Sequence, residues 1–215
     1  MIVRGSTAVP GDKSLTHRAL MLSAIARGES SIEGALTSLD ARSTARVLRG
    51  LGVSISRLRS GERIQVMAPR ALRAPHRVLD CGNSGTTARL GLGLLAAQPF
   101  SATLTGDRSL RRRPMRRVAE PLRAMGATIA TPEGDGLPVR IQGGPLTPIR
   151  WELPVSSAQL KGAILLAALA GGVEASLREP AGRSRDHTER LLRGFGFSVT
   201  EAEEAGFSLS STCSP

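Results

Sequence analysis

Twenty-seven of the 29 basic residues in this chain are arginine, and the two lysines fall in chemically distinctive places: Lys13 in "PGDKSLTHRAL" and Lys161 in "SSAQLKGAILL". Lysine is a compact point charge suited to a phosphate contact, whereas arginine offers a planar fork. Lys13 stands directly before its helix, and Ser14 and Arg18 share one helical face four residues apart. Two other helix openings have the same character, "GNSGTT" (82–87) and "VSSAQ" (155–159). Ser, Thr, Asn and Gly at such starts cap the helix and leave backbone N–H groups free. Three of them on one face make a strong site for anions. Gly85 lets an anion approach the backbone closely. In "RRRP" (111–114), the proline biases Arg113 towards an extended conformation that holds its fork at the mouth of such a site. Arg185, in "SRDHTE" (184–189), stands just ahead of a last helix.

The elements that must position these groups come from an internal repeat. "RVLRGLGVSI" (46–55), "EPLRAMGATI" (120–129) and "RLLRGFGFSV" (190–199) share a helix end, a glycine and a β-branched strand. Their glycines, Gly52, Gly126 and Gly196, are 74 and 70 residues apart. A second series, marked by Ser14, Ser84 and Ser157 at spacings of 70 and 73, opens three apolar helices that lead into short strands. Two features at one period define units of about 70 residues reading strand, helix, strand, helix, strand, with further strands at 63–69 and 138–143. The sequence thus predicts one α/β domain of three βαβαββ-like units about a pseudo-threefold axis. "RALMLSAIA" and "AILLAALA" are apolar nearly all round and should be buried; "ARSTARVLRGLG" should lie outside.

Composition narrows the function classes. The chain has 215 residues and a net charge of +11, which suits anionic partners. Four Phe, one Trp and no Tyr provide few stacking platforms for single-stranded nucleic acid. The arginines are dispersed, densest at 108–117, as on a solvated surface, so a nucleic-acid module is the weaker reading. Cys81 and Cys213 make neither a metal spacing nor a disulfide framework, and His17, His76 and His187 are isolated. With no apolar leader region and no run of about 18 apolar residues, a cytoplasmic protein without membrane contact is expected.

Together, "PGDKSLTHRALMLSAIA", "GNSGTTARL", "RRRPM", "SSAQLKGAILLAAL" and "SRDHTERLLRGFG" resemble the EPSP synthase (3-phosphoshikimate 1-carboxyvinyltransferase) family, in order, from about residue 9 to 199. The related UDP-N-acetylglucosamine enolpyruvyltransferases fit less well, because the cysteine expected near their arginine loop is missing from 101–120. The resemblance implies one domain of the inside-out α/β barrel and transfer of the enolpyruvyl group of phosphoenolpyruvate to the 5-hydroxyl of shikimate 3-phosphate. No cofactor or metal is implied. It assigns Lys13, Ser14, Arg18, Ser157, Ala158, Gln159 and Arg185 to shikimate 3-phosphate. Lys13, Asn83, Gly85, Thr86, Arg113 and Gln159 fall to phosphoenolpyruvate, with Lys13 also the catalytic candidate. Lys161 matches one family branch and receives no substrate role.

The family's chains are about twice as long, and their second domain supplies the general acid and base. The resemblance therefore implies an N-terminal half that binds ligand but is not catalytically complete alone, with half of a split enzyme that needs a separate C-terminal chain as the alternative. It also divides the chain into a crossover strand (1–12), a three-unit domain (13–200, with units at about 14–83, 84–156 and 157–200) and an atypical tail (201–215). Gly85 implies sensitivity to glyphosate, qualified by Leu90, which stands where many members carry proline.

Overall fold

The computed structural model describes residues 9–202 and 206–213. The first unit holds α1 (Lys13–Ser23), β1 (Glu29–Ile32), α2 (Leu39–Gly50), β2 (Ser54–Ile55) and β3 (Ile64–Met67). The second holds β4 (Leu79–Asp80), α3 (Gly85–Ala96), β5 (Ser101–Thr105), a short α4 (Arg108–Arg111), α5 (Arg116–Ala124), β6 (Thr128–Ala130) and β7 (Val139–Gln142). The third holds β8 (Ile149–Glu152), α6 (Ala158–Gly171), β9 (Ala175–Arg178), α7 (His187–Gly194), β10 (Phe197–Ala202) and β11 (Gly206–Cys213).

Three sheets follow one connectivity: β1-β3-β2, β4-β5-β7-β6 and β8-β9-β11-β10. In the second and third, the opening strand runs parallel to the next, with Leu79 opposite Leu104 and Ile149 opposite Ala175, and the remaining pairings are antiparallel. β4 and β8 thus join the sheet of the helix that follows them. The counterpart in the first sheet belongs ahead of α1; residues 9–12 form no strand, and residues 1–8 of the expected crossover strand lie outside the described residues. Residues 206–213, set apart by sequence as a tail, form β11, which pairs with β9 and β10 and occupies the place of β3 and β7. The sequence there carries few β-branched residues, so only the unit's topology reveals the strand.

The repeated Leu-Arg-x-hydrophobic-Gly has a physical basis. Arg49 donates to the Ile55 carbonyl at 2.9 Å, Arg123 to that of Ile129 at 2.7 Å, and Arg193 to that of Val199 at 3.0 Å, each six residues on. The glycine between has φ of +92° (Gly52), +117° (Gly126) or +83° (Gly196), which an L side chain rarely adopts. Each arginine therefore fastens the last turn of an outer helix to its next strand.

The core lies around α1, α3 and α6. In α6 every residue from Leu160 to Ala168 is buried, as is most of α3. α2 buries one face through Ala41, Thr44, Ala45 and Leu48 and exposes the other. α3 and α6 cross at near contact: a Cβ on Gly93 would lie 2.1 Å from the Ala163 carbonyl oxygen.

This contact gives a test whose sign is diagnostic. Helix propensity alone favours Gly→Ala by about 1 kcal/mol, but overpacking against backbone costs about 1–3 kcal/mol or more. Gly93→Ala is expected to destabilise the chain in urea denaturation. Gly91→Ala, whose Cβ would meet Leu104 at an ordinary 3.4 Å, should be neutral or stabilising. Equal effects of the two variants would contradict the close crossing.

Candidate functional site

The N-termini of the three central helices are closed by side-chain caps: Asp12 accepts from the Leu15 amide at 2.7 Å, Ser84 from Thr87 at 3.1 Å and Ser157 from Leu160 at 3.4 Å. Ser14, read from the sequence as the opening residue of its helix, and Lys13, placed just before it, both lie inside the first turn; the cap is Asp12. A carboxylate caps as well as a hydroxyl and gains from the helix dipole, and the Leu15 N–H holds the Asp12 carboxyl below its ordinary range.

Between the starts of α1 and α6 opens a cleft of about 370 Å³, lined by Ser14, Arg18, Thr86, Ser157, Ala158, Gln159, Ser184, Arg185 and His187. Six of the seven residues expected around shikimate 3-phosphate meet here. The seventh, Lys13, is not part of this lining and places Nζ 3.2 Å from Asp40 Oδ2 in a half-exposed ion pair. Arg18 is 2% exposed. It donates through Nε to Thr188 Oγ1 (2.6 Å) and through its terminal nitrogens to the carbonyls of Ala158 (2.8 Å) and Ser14 (3.2 Å). All three acceptors are neutral, and Arg18 forms no ion pair among the described residues. Burial lowers its pKa below the ordinary arginine value, with Glu189 and Asp12 opposing the shift.

The second cluster surrounds the start of α3. Arg113 donates to Asn83 Oδ1 at 2.6 Å, while Asn83 Nδ2 donates to Asp107 at 2.5 Å. Gln159 Nε2 donates to Thr86 Oγ1 at 2.9 Å, and its Oε1 accepts from Arg89 at 2.8 Å. A Cβ on Gly85 would lie 2.9 Å from Arg89 Nη1 and 3.3 Å from Arg113 Nη1. Both guanidinium groups therefore close over Gly85, which is buried beneath them and has no side chain to hold them off. All five remaining phosphoenolpyruvate candidates are gathered here; Lys13 again stands apart.

Residues 2–210 match the family described as EPSP synthase (3-phosphoshikimate 1-carboxyvinyltransferase). The chain belongs to the EPSP synthase family. It is 52% identical over 201 residues to the 3-phosphoshikimate 1-carboxyvinyltransferase of Alkalilimnicola ehrlichii and 51% identical over 198 to that of Anaeromyxobacter dehalogenans. These alignments cover 93% and 92% of this chain but 45% and 44% of the relatives. The solved EPSP synthase of Acinetobacter baumannii superposes with a TM-score of 0.90 at 45% identity, over 96% of this chain and 46% of that one. The chain spans about half the length of the relatives it matches. The fold is accordingly an α/β domain of the EPSP synthase type. Among the described residues, no helix is long and apolar enough to cross a membrane.

Two members of the site escape the motif reading. Arg89 sits four residues after Gly85, the spacing that singled out Arg18 after Ser14, and that shared spacing is the signal that could have found it. Thr188, the acceptor for Arg18 Nε, is 170 residues away in sequence and carries no local signal.

Behind the site runs a buried chain of hydroxyls from His17 Nδ1 to Thr44 Oγ1 (2.6 Å), Thr87 Oγ1 (2.7 Å) and Ser84 Oγ (2.7 Å), tying α1, α2 and the α3 cap together. Burial lowers the His17 pKa to about 4, so the folded state holds the ring neutral. The unfolded chain binds the extra proton between its ordinary pKa of about 6.5 and the folded value. Stability is therefore present above about pH 6.5 and is lost as pH falls towards 4. Linkage puts the loss at about 2 kcal/mol between pH 7 and pH 5. His17→Gln, compared with the parent chain by denaturation at both pH values, should lose less by about this amount. Identical pH profiles would contradict the assignment.

Proposed function

We propose that this chain supplies the N-terminal half of a site that transfers the enolpyruvyl group of phosphoenolpyruvate to the 5-hydroxyl of shikimate 3-phosphate, with release of phosphate. The observation that carries this reading is Arg18: a buried guanidinium, bonded only to neutral oxygens, on the wall of a cleft shared with Ser14, Ser157, Gln159 and Arg185. A buried cation without a carboxylate partner is costly unless an anion completes it. In this reading Arg18, Arg185, Ser14 and Ser157 hold shikimate 3-phosphate. Asn83, Gly85, Thr86 and Arg113 hold phosphoenolpyruvate, and Gln159 lies between the two clusters.

The reaction proceeds by addition and elimination through a tetrahedral intermediate. Fixed donors and cations at the helix starts stabilise the anionic groups of both substrates without reorganising as charge shifts. Lys13, half exposed beside Asp40, contacts the anionic groups of both substrates once they bind. The proton-transfer carboxylates come, by the family resemblance, from the remaining half of the family's length. Substrates of this kind fit a cytoplasmic setting.

Shikimate 3-phosphate is expected to bind the chain weakly. Arg18→Ala should weaken it by roughly 10- to 100-fold, from about 1.5–3 kcal/mol for a charge-assisted hydrogen bond. Lys13→Ala should cost less than about fivefold, as solvent screens an exposed charge. Calorimetry with unchanged affinity in both variants would contradict the reading. Residues 1–215 alone should release no phosphate from the substrate pair, because general acid–base catalysis is typically worth about 10²–10⁴-fold. Adding the C-terminal half of a relative should restore turnover, and robust turnover without it would contradict the division of labour.

A further inference from the structure

Lys161 lies behind the cleft in α6, with its side chain wholly buried between two equally buried carboxylates. Its Nζ is 2.9 Å from Glu179 Oε2 and 2.6 Å from Glu189 Oε1. The contact to Glu179 is a hydrogen bond, whereas that to Glu189 is an ion pair without hydrogen-bond alignment. Glu179 also accepts from two backbone amides, Ser157 at 3.2 Å and Ser184 at 3.1 Å. Ser157 is the cap of α6 and lines the cleft; Ser184 lines it too and directly precedes Arg185. Glu189 is in the first turn of α7 one residue after Thr188, which receives Arg18 Nε. Lys161 balances only one of the two carboxylates; Arg18, bonded to Thr188 beside Glu189, feels the second without forming an ion pair. Removing any one member leaves another buried without its partner.

We infer that Lys161 is a positioning residue for the phosphate-binding wall: by anchoring Glu179 and Glu189, it fixes the α6 cap, the 179–187 segment carrying Arg185, and the α7 start that orients Arg18. It touches no ligand itself. The inference rests on the reading of the cleft as the shikimate 3-phosphate site. Without Lys161, two carboxylates are left buried side by side, and Glu179 must protonate or leave its amides. Either change releases Ser157 and Ser184. The Gly85 cluster, organised by Arg89, Arg113 and Asp107, meets the anchored α6 start only through Gln159, whose bonds to Thr86 and Arg89 hold that residue from the α3 side.

The test compares the parent chain with Lys161→Met, a neutral side chain of similar length, and with Glu179→Gln, which keeps the shape and removes the charge. Amide hydrogen exchange without ligand is expected to rise at least tenfold at Ser157 and Ser184 in both variants, while the α3 amides of Leu92 and Leu94 stay unchanged. Calorimetry should show a shikimate 3-phosphate Kd raised at least tenfold and a phosphoenolpyruvate Kd changed less than twofold. Exchange at Ser157 and Ser184 that is unaltered, or that rises equally throughout the core, overturns the inference. So does a parallel loss of both affinities. If Lys161→Met does not fold, Glu179→Gln decides alone by the same criteria. A parent chain that binds no shikimate 3-phosphate refutes the reading of the cleft, and the exchange comparison still decides whether Lys161 anchors the wall.

Discussion

A cation near the start of a helix is held against the field of that helix's own peptide dipoles, and this chain accepts that arrangement at each of its three central helices. Arg18, Arg89 and Lys161 all lie within the first two turns of α1, α3 and α6, and no acidic residue occupies the first turn of any of them. The outer helices do the opposite. α2 and α7 carry Asp40 and Glu189 in their first turns, and α2, α5 and α7 place Arg49, Arg123 and Arg193 in their last. Charge on the periphery thus supports the helices, whereas charge at the centre works against them. The three central cations are balanced differently. Lys161 has two carboxylates, Arg89 has Gln159 and the Pro114 carbonyl, and Arg18 has only neutral acceptors. The charge left without a counter-ion is therefore concentrated on the walls of the two clusters.

Such a concentration requires helix starts that cannot drift apart. α3 and α6 are brought to backbone contact at Gly93, and a Cβ on Gly162 would lie 2.9 Å from Thr188 Oγ1 and 3.3 Å from Arg18 Nη2. The second glycine thus makes room for the guanidinium that its neighbours orient. Packing in the core and placement of charge at the rim are one constraint seen at two depths. Leu90, buried on α3, packs against the same Gly162 with its Cδ2 3.1 Å from the Cβ position. α3 still begins at Gly85 under its Ser84 cap. A leucine at this place accordingly leaves the helix start intact.

What the sequence disclosed depended on whether the cause was local. The repeat was legible because each arginine–glycine pair solves one local problem, turning a helix end into a strand, three times at nearly one period. Burial of α6 was legible because nothing polar follows Lys161 along the helix. The α1 cap was misplaced by two residues because Asp12 and Ser14 are equally good caps, and only backbone geometry distinguishes them. β11 was hidden because its residues lack strand character and its place is set by partners in β9 and β10. For the candidate site, the residues singled out by motif, Lys13 apart, lie together in the two clusters, while Thr188, Arg89 and the partners of Lys161 were not singled out. Their roles arise from contacts across 18 to 170 residues of sequence, for which spacing gives no cue.

The most direct measurement is a crystal structure of the chain grown at low salt with shikimate 3-phosphate. The ligand is expected in the cleft between α1 and α6, with anionic oxygens within hydrogen-bond distance of Arg18 or Arg185 and of a hydroxyl from Ser14 or Ser157. A ligand well ordered elsewhere on the surface, with this cleft holding only water and Arg18 still bonded solely to Thr188, Ser14 and Ala158, would contradict the claim that the helix starts form an anion site.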